Sequence, residues 1–314
     1  MREKISVLCT CFNEERNMVR FMESIINQSV KPDEMIVIDG GSTDKTVEML
    51  NKYAKKHRWV KVYVAKGYNI AQGRNLAVKK SSGEIIFTVD FSTVLEKDWI
   101  KKLLRGFEEG NDVVFGEYYS EPKNLIEDFL STRLPSWEKV NLEKFIPSNR
   151  HVAIKREVWE KVGGWPENIR RADDNLFHKR AHELGFKYGF VKNAKVLWLY
   201  DRDFKGMLKL AFLDSKSEGF CELWKDRKVY FLEIVSFFVG LLILVAGIFI
   251  NKLLLLLLLL CFLGVSALLL IFFLKKLKGV KMAFVSTGLF ILLYFAHTLG
   301  VLAGIIQKTF VKKE

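Results

Sequence analysis

The feature that most constrains this chain is an abrupt change of character at residue 229. Up to residue 228 charged and apolar positions are mixed as in a water-soluble fold, whereas residues 229–306 are almost continuously apolar. A hydrocarbon core of about 30 Å needs about 20 helical residues, and three stretches reach that length, 229–250, 253–274 and 282–306. Glu233 and His297 are the residues that interrupt them. A buried helix of a soluble protein rarely sustains such runs. The expected organisation is therefore a soluble domain over 1–200, an amphipathic juxtamembrane segment over 201–228, and a three-helix transmembrane region over 229–314. In the juxtamembrane segment Phe204, Met207, Leu208, Ala211 and Phe212 recur at helical spacing, with Lys205 and Lys209 on other faces. A helix lying in the membrane interface and one packed on the soluble domain both have this pattern.

The formal charge of +13 raises the question of an anionic partner. Its basic residues are spread through the soluble part and concentrated beside the apolar stretches, at Lys225, Arg227 and Lys228 and at Lys275, Lys276, Lys278 and Lys281. That is the distribution of membrane electrostatics. No aromatic-interleaved basic stripe is present, so no nucleic-acid partner is expected. The N-terminus runs into a strand-like segment with no signal-peptide core, which predicts a cytoplasmic first domain on a multi-pass protein of the cell membrane. The lysine loop 275–281 then also lies inside, as the positive-inside rule prefers. Three crossings would, however, leave Lys308, Lys312 and Lys313 outside. Cys9, Cys11, Cys221 and Cys261 have neither metal-ligand nor disulfide-framework spacing. Cys9 and Cys11 share one face of a strand and read as small buried hydrophobes.

Within the first domain short apolar runs at 5–11, 35–38, 60–64 and 85–89 alternate with helical patterns at 17–27, 44–56, 70–80 and 99–107. Such alternation predicts an α/β fold with a mainly parallel sheet flanked by helices. Ligands of such sheets bind beyond the carboxyl ends of the strands. Polar clusters fall at those ends: Asn13-Glu14-Glu15, Asp39-Gly40-Gly41-Ser42-Thr43-Asp44, and Asp90-Phe91-Ser92. Singly, each is also what a cap, a turn or a strand end would contain.

The runs Ile5-Ser6-Val7-Leu8-Cys9-Thr10-Cys11-Phe12-Asn13-Glu14-Glu15 and Ile36-Val37-Ile38-Asp39-Gly40-Gly41-Ser42-Thr43-Asp44 come in fixed order with Gly73-Arg74-Asn75-Leu76-Ala77, Gly83-Glu84-Ile85-Ile86 before Asp90, Gly163-Gly164-Trp165, and Asp173-Asp174 ahead of Phe177, Arg180 and Gly185. Over about residues 4–200 the chain thereby resembles family 2 of the inverting glycosyltransferases, whose nucleotide-binding domain has the GT-A fold. The resemblance implies a GT-A catalytic domain over 1–200 followed by the α-helical membrane region. It implies that Asn13, Glu14 and Asp39 line the nucleoside pocket, that Arg74 lies near the diphosphate, and that Asp90 is the first acid of the Asp-x-Asp motif, holding ribose and a divalent metal, Mg²⁺ or Mn²⁺. The third motif position here is Ser92, so the metal would be held by Asp90, the diphosphate and water.

In the family an acidic pair supplies the catalytic base from its second residue, which assigns Asp174, with Asp173 as a like-charged neighbour that raises its pKa. The pair equally suits a helix N-terminus. An acceptor phosphate would need no strong base. Gly164 and Trp165 are expected beside the acceptor, or else as a turn ahead of a core tryptophan. The Gln-x-x-Arg-Trp signature of polysaccharide synthases is absent from the sequence, so one sugar is moved per encounter. The expected partners are a UDP- or GDP-linked sugar, a lipid-linked acceptor such as a polyprenyl or dolichyl phosphate or a saccharide mounted on it, and the membrane. Two rivals stand beside this reading, a nucleotidyltransferase and a non-catalytic membrane scaffold that retains the fold.

Overall fold

The computed structural model describes residues 3–135, 137–169, 171–200, 203–226, 228–277 and 279–311. Of the basic clusters, Arg227, Lys278, Lys312 and Lys313 lie outside the described residues. In chain order the elements are β1 (Ile5–Cys11), α1 (Met18–Ile26), β2 (Glu34–Asp39), α2 (Thr46–Lys56), β3 (Val60–Val64), α3 (Ile70–Lys80), β4 (Ile85–Asp90), β5 (Thr93–Leu95), α4 (Trp99–Glu108), β6 (Val113–Tyr119), α5 (Leu125–Ser131), β7 (His151–Lys155), α6 (Arg156–Val162), α7 (Asp173–Glu183), β8 (Tyr188–Trp198), α8 (Phe204–Phe220), α9 (Lys228–Phe249), α10 (Leu253–Lys276) and α11 (Val280–Val311).

The eight strands form one sheet in the order β3-β2-β1-β4-β7-β6-β8-β5. The first four are parallel, as their strand-helix alternation predicts. Beyond them β7 runs antiparallel to β4 and β6, and β5 antiparallel to β8, so the sheet is mixed. Buried strands with two covered faces read as continuous apolar runs. In β1, Ile5, Val7, Cys9 and Cys11 enter the core on one face, whereas Leu8 enters the core on the other. The first face is covered by Met18, Phe21, Met22 and Ile25 of α1 and by Trp99, Ile100 and Leu103 of α4. The opposite face is covered by Ala71, Ala77 and Val78 of α3 and by Phe177 and Ala181 of α7. Phe21, fully buried, meets Phe91 with ring centroids 4.4 Å apart. Truncating such a ring to alanine costs about 3–5 kcal/mol.

The chain divides into two compact units, residues 1–121 with 134–201, and residues 122–133 with 202–314. The second unit thus takes a segment from inside the expected 1–200 domain. The reason is apolar: α5 buries Phe129 in a cluster with Met207 of α8, Phe273 of α10 and Met282, Ala283, Leu289 and Leu293 of α11. Three helices of this unit are long and apolar enough to cross a membrane, Tyr230–Phe249, Leu253–Lys276 and Val280–Phe310. Glu233 and His297, the two interruptions of the apolar stretches, lie against each other, with carboxylate oxygen and imidazole Nδ1 2.7 Å apart. Helix α8 packs on α11, burying Ser215 and Gly219.

Candidate active site

Strand register brings the first two acids to one rim. Cys11 of β1 pairs with Asp39 at the end of β2, and Thr10 pairs with Asp90 at the end of β4. The two acids therefore flank β1 on its two sides, about 10 Å apart at the usual strand spacing. The loops after β1 and β2 are laced together. Asn13, with φ 56°, accepts from Thr43 N at 2.8 Å, its own N–H donates to Ser42 Oγ at 2.8 Å, and Glu14 N donates to Thr46 Oγ1 at 2.8 Å. Asparagine tolerates this left-handed backbone better than most residues. Asn13 is exposed and Glu14 half-buried.

Asp39 sits beneath that rim, fully buried. One oxygen accepts from Gly41 N and Ser42 N, both at 2.8 Å, and the other from Ser42 Oγ at 2.5 Å and Cys11 Sγ at 3.4 Å. Burial and the adjacent Asp39 push the Cys11 thiol well up, so it stays protonated and donates. The side chain that projects into solvent here is Phe12, 58% exposed, a residue that the sequence reading quoted without a role.

The third group of residues meets on Arg74. Its position follows from Gly73, where a Cβ would come 2.8 Å from Thr10 Cγ2, so only glycine lets α3 lie this close to β1. Arg74 is buried, forms a short ion pair with Asp173 at the first turn of α7, and reaches Asp90 at 3.5 Å. Its fork thus reaches two carboxylates, one of them the Asp90 expected at the donor site. A second cation, Arg150, comes from the residue before β7. Its guanidinium stacks 4.1 Å from the Trp198 ring, and its Nε lies 3.9 Å from Asp90 while lacking a hydrogen-bond partner. Ordinary position in a loop hid it from sequence reading.

Asp174 follows Asp173 in the first turn of α7, after Ala172 in a left-handed conformation with φ 65°. Burial, and next the like charge of Asp173, push its pKa up to about 6, although Arg74 and Arg150 pull it down. The helix N-terminus, which favours the carboxylate, does not offset these terms. Asp90, Arg74, Asp173, Arg150 and Asp174 therefore form one electrostatic cluster, with Asp39 across β1 from it.

Gly164 and Trp165 stand behind this cluster. Trp165 is 1% exposed and stacks on Phe177 at 4.7 Å, so its ring cannot face an acceptor. Gly164 has φ +83°, and a Cβ there would fall 2.8 Å from Asn75 Oδ1. Asn75 clasps the turn, accepting from Trp165 N at 2.9 Å and Trp159 Nε1 at 3.0 Å and donating to Trp165 O at 2.8 Å. With its amide turned to face its donors, buried Asn149 accepts from Trp165 Nε1 at 2.9 Å and Arg74 Nη1 at 3.3 Å. Gly164 and Trp165 thus form the turn ahead of a core tryptophan, and through Asn149 they brace Arg74.

Asp90 presents one carboxylate, its side chain 29% exposed, and among the described residues no three His, Cys, Asp or Glu converge as a protein cage for a metal would require. This donor set suits a Mg²⁺-like ion that shares its shell with ligand phosphates and water.

The mixed sheet with acids at the carboxyl ends of its strands is the GT-A architecture. The chain belongs to glycosyl transferase family 2, whose profile matches residues 6–165, about half its length, and it is a glycosyltransferase. It is 26% identical over 247 residues to the glycosyltransferase GlyG of Streptococcus pneumoniae serotype 4, covering 72% of this chain and 80% of that one. It is 25% identical over 207 residues to the O-antigen chain rhamnosyltransferase RfbN of Salmonella typhimurium, covering 62% of this chain and 65% of that one. Among solved structures, the mannosyltransferase PcManGT of Pyrobaculum calidifontis, in complex with GDP-Man and Mn²⁺, shares the fold at TM-score 0.59 and 17% identity, covering 99% of this chain and 88% of that one.

Proposed function

We propose that the protein moves one sugar from a nucleotide-diphosphate donor, UDP- or GDP-linked, to an acceptor carried on a membrane lipid, a polyprenyl or dolichyl phosphate or a saccharide mounted on one, with inversion at the anomeric carbon. The observation that carries the reading is the gathering, in one cluster at the carboxyl ends of the strands, of half-buried Asp90, the acidic pair of α7 and two guanidiniums. Envelope glycan synthesis by the relative RfbN, GDP-mannose and Mn²⁺ in PcManGT, and the apolar helices of this chain support the donor and acceptor classes.

In this reading Asn13, Glu14 and Phe12 bound the nucleoside, the exposed ring offering a stacking surface for the base. Asp39 holds the loop beneath it, and reaches the base only if Ser42 Oγ gives up its bond. Asp90 faces the ribose and would be the protein's ligand to Mg²⁺ or Mn²⁺, which when bound neutralises charge on the departing diphosphate. Arg150 has the unpartnered N–H suited to a phosphate oxygen. Asp174 takes the proton from the acceptor hydroxyl as its oxygen attacks the anomeric carbon, and the sugar-phosphate bond breaks with its electron pair going to the nucleoside diphosphate. At pH 7 a carboxyl of pKa about 6 is mostly ionised yet more basic than an ordinary aspartate. Arg74 is a positioning residue, fixing Asp90 and Asp173 beside this base.

The test is incubation of membranes holding the full chain with a panel of labelled nucleotide sugars. Label entering the lipid fraction with release of a nucleoside diphosphate is expected. Release of pyrophosphate would mean nucleotidyl transfer and would overturn the reading.

A further inference from the structure

We infer that α11 lies along the membrane surface on the side of the nucleotide-binding unit, so that the chain crosses the bilayer twice, through α9 and α10, and returns its C-terminal end to that same side. The partner of the exposed α11 face is the lipid surface itself.

The start of α11 is fixed by α5. Phe273 near the end of α10 meets Phe129 of α5 with ring centroids 6.0 Å apart, Lys276 Nζ donates to Thr132 O at 2.6 Å, and Met282 joins the same buried cluster. The segment 122–133 that carries α5 continues at both ends into the first unit. Crossing and returning would need about 20 residues each way, which that segment does not have. The connection between α10 and α11 is therefore on the side of the first unit.

The end of α11 is fixed by α8. A Cβ on Gly300 would lie 2.4 Å from Phe212 O, and one on Gly304 2.0 Å from Lys216 O, so the two helices touch backbone to backbone. Residue 212 thus matches 300 and residue 216 matches 304, a parallel register that continues to the Glu222–Lys308 ion pair at 2.5 Å. Helix α8 carries Lys205, Lys209, Asp214, Lys216 and Glu218. A central charge costs at least about 2.5–3.5 kcal/mol in a bilayer, so α8 stays where the first unit delivers it, and the last turns of α11 stay with it.

A helix with both ends on one side has not crossed. Phe284, Leu292, Phe295, Leu299, Ile306 and Phe310 form one stripe at helical spacing along nearly the whole helix, 42–67% exposed, while Ser286, Thr298 and the two glycines face the other way and are buried. With Lys205 and Lys209 exposed on α8, the pair has a wet face and a greasy one, the form of an interfacial helix. Lys275, Lys276, Lys281 and Lys308 then all lie on the side of the first unit, and the conflict with the positive-inside rule disappears.

The experiment uses the full chain in sealed membrane vesicles with Cys221→Ser and Cys261→Ser, carrying one added cysteine at a time and a membrane-impermeant maleimide. Lys55→Cys on α2 marks the side of the first unit. Gln307→Cys is expected to label from the Lys55→Cys side only, and Lys252→Cys from the opposite side only. Labelling of Gln307→Cys from the Lys252→Cys side, or of Lys252→Cys from the Lys55→Cys side, overturns the inference. Nitroxide depth at Phe284→Cys, Phe295→Cys and Phe310→Cys decides independently of maleimide reactivity: equal shallow depths support it, and a deep middle between two shallow ends sinks it.

Discussion

Two carboxylates at opposite edges of the same sheet, Glu34 and Asp174, are driven in opposite directions. At the amino-terminal edge, Glu34 is 3% exposed, and burial alone would raise its pKa. Bonds from Lys61 Nζ at 2.8 Å, from Ser82 N at 2.6 Å and Oγ at 2.8 Å, and from Ser6 Oγ at 2.8 Å outweigh that and hold it at about 2. At the carboxyl edge, three acids share two guanidiniums, and Asp174 goes up to about 6. Desolvation raises both carboxyls; at Glu34 four donated bonds outweigh it, whereas at Asp174 the like charge of Asp173 adds to it and the two guanidiniums do not outweigh the pair. One edge is satisfied and stabilises the fold; at the other, three carboxyls share two guanidiniums.

The comparison breaks most sharply at Asp174. Asp174→Asn should lower kcat by about 10³-fold with the thermal transition in detergent unmoved or raised, since the fold disfavours the ionised carboxyl; retained activity would remove Asp174 from the chemistry. Next is Arg150→Ala, expected to lower kcat/KM for the nucleotide sugar by about 10–100-fold through loss of a charge-assisted contact. An unchanged KM and kcat would leave that guanidinium as a partner of Trp198 alone.

On the other edge Glu34→Gln should leave turnover intact and cost about 2 kcal/mol, a fall in Tm of about 4–8 °C. Because the folded pKa of Glu34 lies below the unfolded value, its contribution is complete above pH about 5 and fades as pH falls toward about 2. The wild-type and Glu34→Gln transitions should therefore converge on acidification, and a constant gap would contradict the linkage. The smallest effect sharpens the contrast: kcat should rise with pH through about 6, and Asp173→Asn should move that midpoint downward, since the like charge of Asp173 raises Asp174. A midpoint that moves upward would assign the titration to another group.

Alternating strands and helices, the polar clusters at strand ends and the apolar stretches were all legible in the sequence because each is a local pattern: period, turn chemistry and run length need no partner. The resemblance to family 2, carried by motif order, kept Asp90, Asp173 and Asp174 together as candidates. Local pattern left Trp165 open, since it looks the same in a chain whether its ring faces a ligand or, as here, a core phenylalanine and Asn149. It passed over Arg150, whose significance lies in Asp90 and Trp198, 60 and 48 positions away along the chain.

What the amino-acid order determined by itself is the α/β unit, its acidic rim and the existence of three helices apolar enough for a membrane, because burial of apolar side chains follows composition and period. The tertiary structure alone decided which donors each acid receives, hence which carboxyl is held at about 2 and which is lifted to about 6. It also decided that the glycines of α11 meet the backbone of α8. Charge balance and close approach are properties of neighbours in space, and those neighbours are remote in sequence.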